Sequence, residues 1–135
     1  MSDETEPMDY PTLAVTTARL GFRPQDVADE VGMDQRRFRR IRSGKYEVPP
    51  WLDAQVRQWA DEVDTDAATA AEDLSEQYRQ SGQAVTLLRY PAKGFLQRHE
   101  QGIKARSVES WDAYLALISF QLEEAGVPFE YATRQ

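Results

Sequence analysis

Residues 24–45 read PQDVADEVGMDQRRFRRIRSGK, and this stretch decides the fold. Pro24 suits the first turn of a helix, and Gly32 suits the end of that helix, where a left-handed residue is often needed. Asp34 can cap a second helix, which then ends at Gly44. The stretch therefore predicts two short helices joined by a tight turn.

The few apolar side chains of this stretch are spaced so that two helices can cross and pack against each other. Ala28 is small enough to lie where the helices cross at a steep angle. The only apolar residues of the second helix are Phe38 and Ile41, which are three residues apart and therefore share one face. The side chains expected to seal the space between the helices are Val27, Val31 and Met33. Every other side chain of the second helix then faces outward.

The outward face of the second helix is strongly basic. At about 100° per residue, the side chains opposite the apolar pair are Gln35, Arg36, Arg39, Arg40 and Ser43, with Arg37 and Arg42 on the flanks. Residues 36–45 hold six positive charges and no acid, whereas the whole chain has a net charge of −7. The rest of the chain therefore carries −13. This short segment is the one suited to a polyanion.

The residue types on this face match the chemistry of DNA. Arginine pairs bidentately with guanine, glutamine pairs with adenine, and further guanidinium groups bind phosphate. Residues near the N-terminus of a recognition helix usually reach the bases. We therefore assign base readout to Gln35, Arg36, Arg39 and Arg40. We assign contacts with the DNA backbone to Arg37, Arg42, Ser43, Lys45 and Tyr46.

The pattern QDVADEVGM..RRFRRIRSGK at residues 25–45 resembles the helix-turn-helix of the phage lambda repressor and Cro superfamily. The resemblance implies a domain that binds double-stranded DNA. Two positions depart from the family pattern. Members commonly carry a phosphate-contacting glutamine where this chain has Pro24, and an acid where it has Arg42. The first departure removes one expected phosphate contact, and the second removes an ion pair with the preceding helix.

The segments around this stretch predict further helices and an acidic tail. Residues 1–9 carry four acids and no apolar periodicity, which predicts a disordered tail. The helices predicted from apolar spacing are 11–20, 52–63 and, with Asp64 or Thr65 as its cap, 65–81.

The C-terminal part predicts both helices and strands. Its predicted elements are a strand at 84–90, a helix at 93–101, a helix at 108–125 capped by Ser107, and a strand at 127–132. We therefore expect a mainly α fold, in which a lambda repressor-like helical domain at 10–64 precedes a dimerisation region at 65–135. That region is expected to be helical, with one or two short strands.

The last predicted helix has a regular apolar seam that is wider than one small core needs. The residues assigned to dimerisation are Trp111, Tyr114, Leu115, Ile118 and Leu122. A seam of this kind is equally typical of a protein's own core.

The whole chain is similar to the YdiL-like proteins, which include anti-CRISPR-associated autorepressors of phages and mobile elements. The similarity lies in the link RSGKYEVP, in LLRYPAKGFL at 87–96, and in a terminal helix that begins near Trp111. It implies a homodimer, joined through its C-terminal half, that binds an inverted repeat in a promoter, often its own.

Composition excludes most enzymatic chemistry. The chain has 135 residues, no cysteine and one histidine, His99, so cysteine nucleophiles and the usual zinc sites are not expected. No serine or second histidine accompanies His99 in a catalytic spacing. We therefore expect a cytoplasmic protein that has no enzymatic activity, metal, cofactor or membrane partner.

Three alternatives remain open at this stage. The arginine face is typical of solvated or salt-bridged helices when it is taken alone. The same arginines suit RNA, and the C-terminal half suits a protein partner, as in an adaptor or an antitoxin-like module. Nine acids between residues 47 and 76 add a further hypothesis, that they repel DNA from every face except the basic one.

Overall fold

The computed structural model describes residues 8–135, and this part of the chain is mainly helical, as predicted. Its helices are α1 (Tyr10–Arg19), α2 (Pro24–Val31), α3 (Gln35–Arg42), α4 (Pro50–Ser81), α5 (Lys93–His99) and α6 (Val108–Glu124), with a 3-10 turn at Ile103–Ala105. Its strands are β1 (Val85–Arg89) and β2 (Phe129–Thr133). The chain divides into two compact units, which meet in sequence between Ala60 and Asp61.

The predicted acidic tail falls largely outside the described residues. Of residues 1–9, only Met8 and Asp9 are described, and Met8 is buried. Asp9 caps α1 by accepting a hydrogen bond from the backbone N–H of Thr12 at 2.8 Å. Hydrogen bonds with Thr12 hold the pKa of Asp9 below its usual range.

The N-terminal unit packs α1, α2 and α3 around one apolar core. From α1 it buries Leu13, Thr17 and, just after the helix, Leu20, which are three or four residues apart and therefore share one face. The start of α4 completes this core, and the ring of its Trp59 meets Phe22 edge-on at 5.4 Å.

Helix α4 is one continuous helix of 32 residues, so the predicted division into helices at 52–63 and 65–81 is wrong. Asp64 and Thr65 lie inside it and do not begin a new helix. The inward-facing series continues past them, with Val63, Ala67 and Ala71 all buried. Aspartate and threonine in a helix interior each cost less than about 1 kcal/mol, which packing outweighs.

The C-terminal unit contains a small parallel sheet. Val85 lies opposite Phe129, and the register continues to Arg89 opposite Thr133. Strand β1 lies within its predicted range, whereas β2 begins two residues after the start of its predicted range and ends one residue beyond it. On β1, Val85 and Leu87 point into the core. Within residues 8–135, no helix has both the length and the apolar character needed to cross a bilayer.

Helix α6 begins at the predicted cap. Ser107 Oγ accepts from the N–H of Ser110, and Ser110 Oγ accepts from the N–H of Ser107. These reciprocal bonds form a capping box. Asp112 of α6 pairs with Arg89 of β1, and Trp111 donates its ring N–H to the carbonyl of Leu88 at 2.8 Å. These contacts hold α6 against the sheet.

Candidate nucleic-acid interface

Helix α2 is fixed at its start by a buried carboxylate. Asp26 is 4% exposed and accepts hydrogen bonds from the backbone N–H and the guanidinium of Arg23, all at 3.0 Å. This contact is not among the sequence-based predictions. Its signal is an acid at the third position of a helix that begins with proline, where a carboxylate can reach back to the residue before the helix. The contact fixes the first turn of α2.

The turn between α2 and α3 forms at the predicted glycine. Gly32 has a φ of 72°, in the left-handed region, and the N–H of Met33 bonds to the carbonyl of Ala28 at 2.9 Å. Asp34 then caps α3 by accepting from the N–H of Arg36 at 3.2 Å. These bonds tie the position of α3 to α2.

Helix α3 divides sharply into an inner and an outer face. Phe38 and Ile41 are each 1% exposed and pack in the core with Val27 and Ala28. Val31 and Met33, which are expected beside them, are half-buried. Of the residues assigned to DNA, Gln35 and Arg42 are half-buried, and the others are exposed: Arg36, Arg37, Arg39, Arg40, Ser43, Lys45 and Tyr46. We call Gln35 to Tyr46, without the two buried residues, the basic face.

The arginines of the basic face form no ion pair within residues 8–135. The ion pairs in that part of the chain use other cations, including Arg57 with Asp53 and Lys104 with Asp66. Arginine pairs at i, i+3 and i, i+4 therefore repel one another along α3, and the nearby acids Asp34 and Glu47, which line one cleft with Arg37 and Arg40, form no ion pair with them. The alternative of a salt-bridged arginine helix does not describe this geometry.

The C-terminal end of α3 is held by the carbonyl of Arg40. This oxygen accepts from the N–H of Lys45 at 2.9 Å and from the hydroxyl of Ser43 at 3.2 Å. The Ser43 hydroxyl is therefore engaged with the helix, and it must leave Arg40 to donate to a phosphate. Gly44 has a φ of 89° and lies directly against the ring of Tyr10.

Exposed aromatic side chains lie in the same unit as the basic face, and two of them, Tyr10 and Trp51, have no role predicted from the sequence. Tyr10 and Trp51 are each about half exposed, as is the predicted contact residue Tyr46. Tyr46 also lines a shallow cleft of about 500 Å³ with Arg37 and Arg40, and the acids Asp34 and Glu47 line the same cleft. An amphipathic ring beside guanidinium groups suits the sugar and phosphate of a nucleic acid.

The five residues assigned to dimerisation lie in the core of the C-terminal unit. None is more than 6% exposed: Trp111, Tyr114, Leu115, Ile118 and Leu122. Burial, with the negative charges of Asp66 and Glu100, raises the pKa of Tyr114 to about 12. On α6 the large apolar side chain that remains exposed is Phe120.

Among residues 8–135, no group of three or more histidines and acids could hold a metal ion. No model of a known protein family matches the chain. No curated protein matches it significantly.

Proposed function

We propose that this protein is a sequence-specific, DNA-binding transcriptional regulator of the helix-turn-helix kind. We propose further that it acts as a homodimeric repressor of an inverted-repeat operator, in the manner of the lambda repressor-like and YdiL-like proteins that its sequence resembles. The observation that carries this proposal is the basic face, where unpaired arginines stand on a short helix anchored by two buried residues, Phe38 and Ile41.

The dimensions of α3 support an approach to duplex DNA. An α-helix with its side chains is about 10 to 12 Å in diameter, and the major groove of B-form DNA is about 12 Å wide, so a short helix such as α3 can enter it. Gln35, Arg36 and Arg40 would read base edges, with Arg39 beside them. The remaining side chains of the basic face would contact the backbone: Arg37, Arg42, Ser43, Lys45 and Tyr46.

Repulsion between the arginines along α3 favours a polyanionic partner. A phosphate backbone neutralises the arginines and releases its own counterions, which makes binding stronger at low salt. B-form DNA suits this helix better than A-form RNA, because the major groove of A-form RNA is too deep and narrow for side chains to read.

A second copy is part of the proposal for a physical reason. One recognition helix contacts only a few base pairs, and specific sites usually combine two half-sites about 34 Å apart. An inverted repeat presents the same sequence to two copies related by a two-fold axis.

The test is selection of bound sequences from randomised duplex DNA at about 0.15 M salt. We expect enrichment of an inverted repeat whose half-sites are about 10 bp apart, centre to centre, or a multiple of that spacing. The variant Arg36→Glu/Arg40→Glu should enrich no DNA sequence. Arg79→Glu, which makes half of that charge change on α4, should select the wild-type repeat.

Absence of enrichment would overturn the proposal if the basic-face variant and the wild type also bind random DNA equally. In that case the helix-turn-helix is a scaffold, and the adaptor hypothesis should be pursued through protein partners of the C-terminal unit.

A further inference from the structure

The sheet of the C-terminal unit leaves one edge of β2 open. Within residues 8–135 its only partner strand is β1. The N–H of Val85 bonds to the carbonyl of Pro128 at 3.1 Å. The N–H of Arg134 bonds to the carbonyl of Arg89 at 2.8 Å. Even-numbered residues of β2 therefore direct their backbone groups toward β1.

The odd-numbered residues of β2 direct their backbone groups the other way, because successive residues of a strand alternate. The N–H and C=O groups that point away from β1 belong to Phe129, Tyr131 and Thr133. Residues 130–133 are also exposed along their whole length. An exposed row of donors and acceptors is a template for another strand.

The sequence at this edge is complementary to itself. Residues 130–134 read EYATR. When two copies run antiparallel with Ala132 at the centre, Glu130 of each copy lies opposite Arg134 of the other. The same register places Tyr131 opposite Thr133, so residues with outward backbone groups face each other. A register shifted by one residue loses both the charge match and the hydrogen bonds.

An apolar patch lies beside the open edge. Tyr131 is 53% exposed and lines a cleft of about 250 Å³ with Leu115 and Ala116 of α6. Phe120, which is 58% exposed, follows Ala116 by one helical turn and lies on the same side of α6. A two-fold axis between antiparallel strands is perpendicular to the sheet, so both copies of α6 lie on one face. The second copy therefore covers this patch.

We propose that the open edge of β2 is the homodimer interface. Two copies join through antiparallel pairing of residues 130–134 and form a four-stranded sheet in the order β1, β2, β2, β1. The open edge of β2 is a different surface from the buried seam of α6, which the sequence predicts as the interface. This inference rests on the proposed function, because both require a second copy of the chain. Its tests need no DNA.

The first test is a charge exchange followed by analytical ultracentrifugation at micromolar concentrations. The wild type should be a dimer, and Glu130→Arg should raise its dissociation constant about tenfold, because two like-charged pairs then face each other. The double variant Glu130→Arg/Arg134→Glu should restore the dimer. Glu72→Arg, the same change on α4, should leave it intact.

A second test uses the wild type alone, so it does not depend on any variant folding. Amide hydrogen exchange should be slow at Tyr131 and Thr133 and should become faster as the protein is diluted below its dissociation constant. A wild-type monomer with fast exchange at both amides would overturn the proposal. A dimer that is unaffected by Glu130→Arg would also overturn it.

The proposed function and this interface fail separately. Arg36→Glu/Arg40→Glu should abolish DNA selection while the dimer survives in ultracentrifugation. Glu130→Arg should retain binding to a single half-site and lose the preference for a two-half-site duplex. A dimer that binds no DNA refutes the proposed DNA binding alone, and a dimer that selects DNA but is unaffected by Glu130→Arg refutes this interface alone.

Discussion

Arg40 serves both the fold of α3 and its exposed face. Its carbonyl oxygen ends the helix by accepting from Lys45 and Ser43, while its side chain extends from the face opposite Phe38 and Ile41. Because the backbone bonds do not depend on the side chain, truncation of Arg40 removes the guanidinium and leaves the end of the helix in place. Lys45 lies beyond the helix, where a charge reaches phosphate more readily than bases.

At the residue scale we predict that alanine substitutions distinguish base contacts from backbone contacts by their effects on operator and random DNA. Arg40→Ala should lower the affinity for the selected operator by about 1 to 3 kcal/mol and reduce discrimination against random DNA. Lys45→Ala should weaken binding to both duplexes by similar factors and lower the salt slope by about one. Titrations by fluorescence anisotropy at several salt concentrations measure both effects. Equal losses on operator and random DNA for Arg40→Ala would contradict its assignment to base readout.

Residue types and spacing were enough to predict which side of α3 faces inward. Phe38 and Ile41 are the only apolar residues of that helix, so its orientation was decided by composition alone. The buried contact of Asp26 with Arg23 could not be predicted in the same way. An aspartate in the first turn of a helix is usually explained as a charge near the helix dipole, and its burial depends on packing around it.

At the element scale, sequence-based predictions are least reliable where local sequence signals, such as capping residues, compete with packing. Asp64 and Thr65 are good capping residues, but the buried positions on either side of them favour one helix. The seam of α6 repeats regularly, and periodicity alone does not distinguish a core from an interface. The structure places that seam in the core because β1 and α4 supply its neighbours, which a single helix sequence does not reveal.

Substitution of glycine by alanine should have opposite effects on stability in the turn between α2 and α3 and in α5. Gly32→Ala should destabilise the protein by about 1 kcal/mol, because alanine is strained at a φ of 72°. Gly94→Ala in α5 should stabilise it by about 0.5 to 1 kcal/mol, because that glycine lacks a positive φ and alanine favours helices. An added Cβ meets no atom within 4 Å at either site, so the difference reports backbone conformation alone.

Urea denaturation of both variants measures this difference. Gly32→Asn provides a further control, because asparagine tolerates the left-handed region better than alanine and should recover part of the loss. Destabilisation by Gly94→Ala equal to that by Gly32→Ala would mean that the left-handed turn is not what makes Gly32 necessary.

At the scale of the whole molecule, charge is divided between a basic face and an acidic remainder. Several acids between residues 47 and 76 are engaged in local pairs, such as Asp53 with Arg57 and Glu76 with Arg79. Others are exposed on α4, among them Asp61, Glu72 and Asp73. Such charges act at a distance on a polyanion, over about 10 Å at moderate salt.

The exposed acids of α4 should therefore limit nonspecific binding. The variant Asp61→Asn/Glu72→Gln/Asp73→Asn removes three negative charges from the −7 of the chain. We expect its affinity for random duplex DNA to rise several-fold at low salt, while its affinity for the operator rises less, because correct docking presents the basic face. Screening should remove the difference as the salt concentration rises, since a Debye length of about 3 Å at 1 M leaves only direct contacts. Filter-binding titrations on both duplexes across a salt series measure this selectivity. An unchanged affinity for random DNA at low salt would mean that the acids serve only the fold, and that discrimination between DNA sequences comes from the contacts of α3 alone.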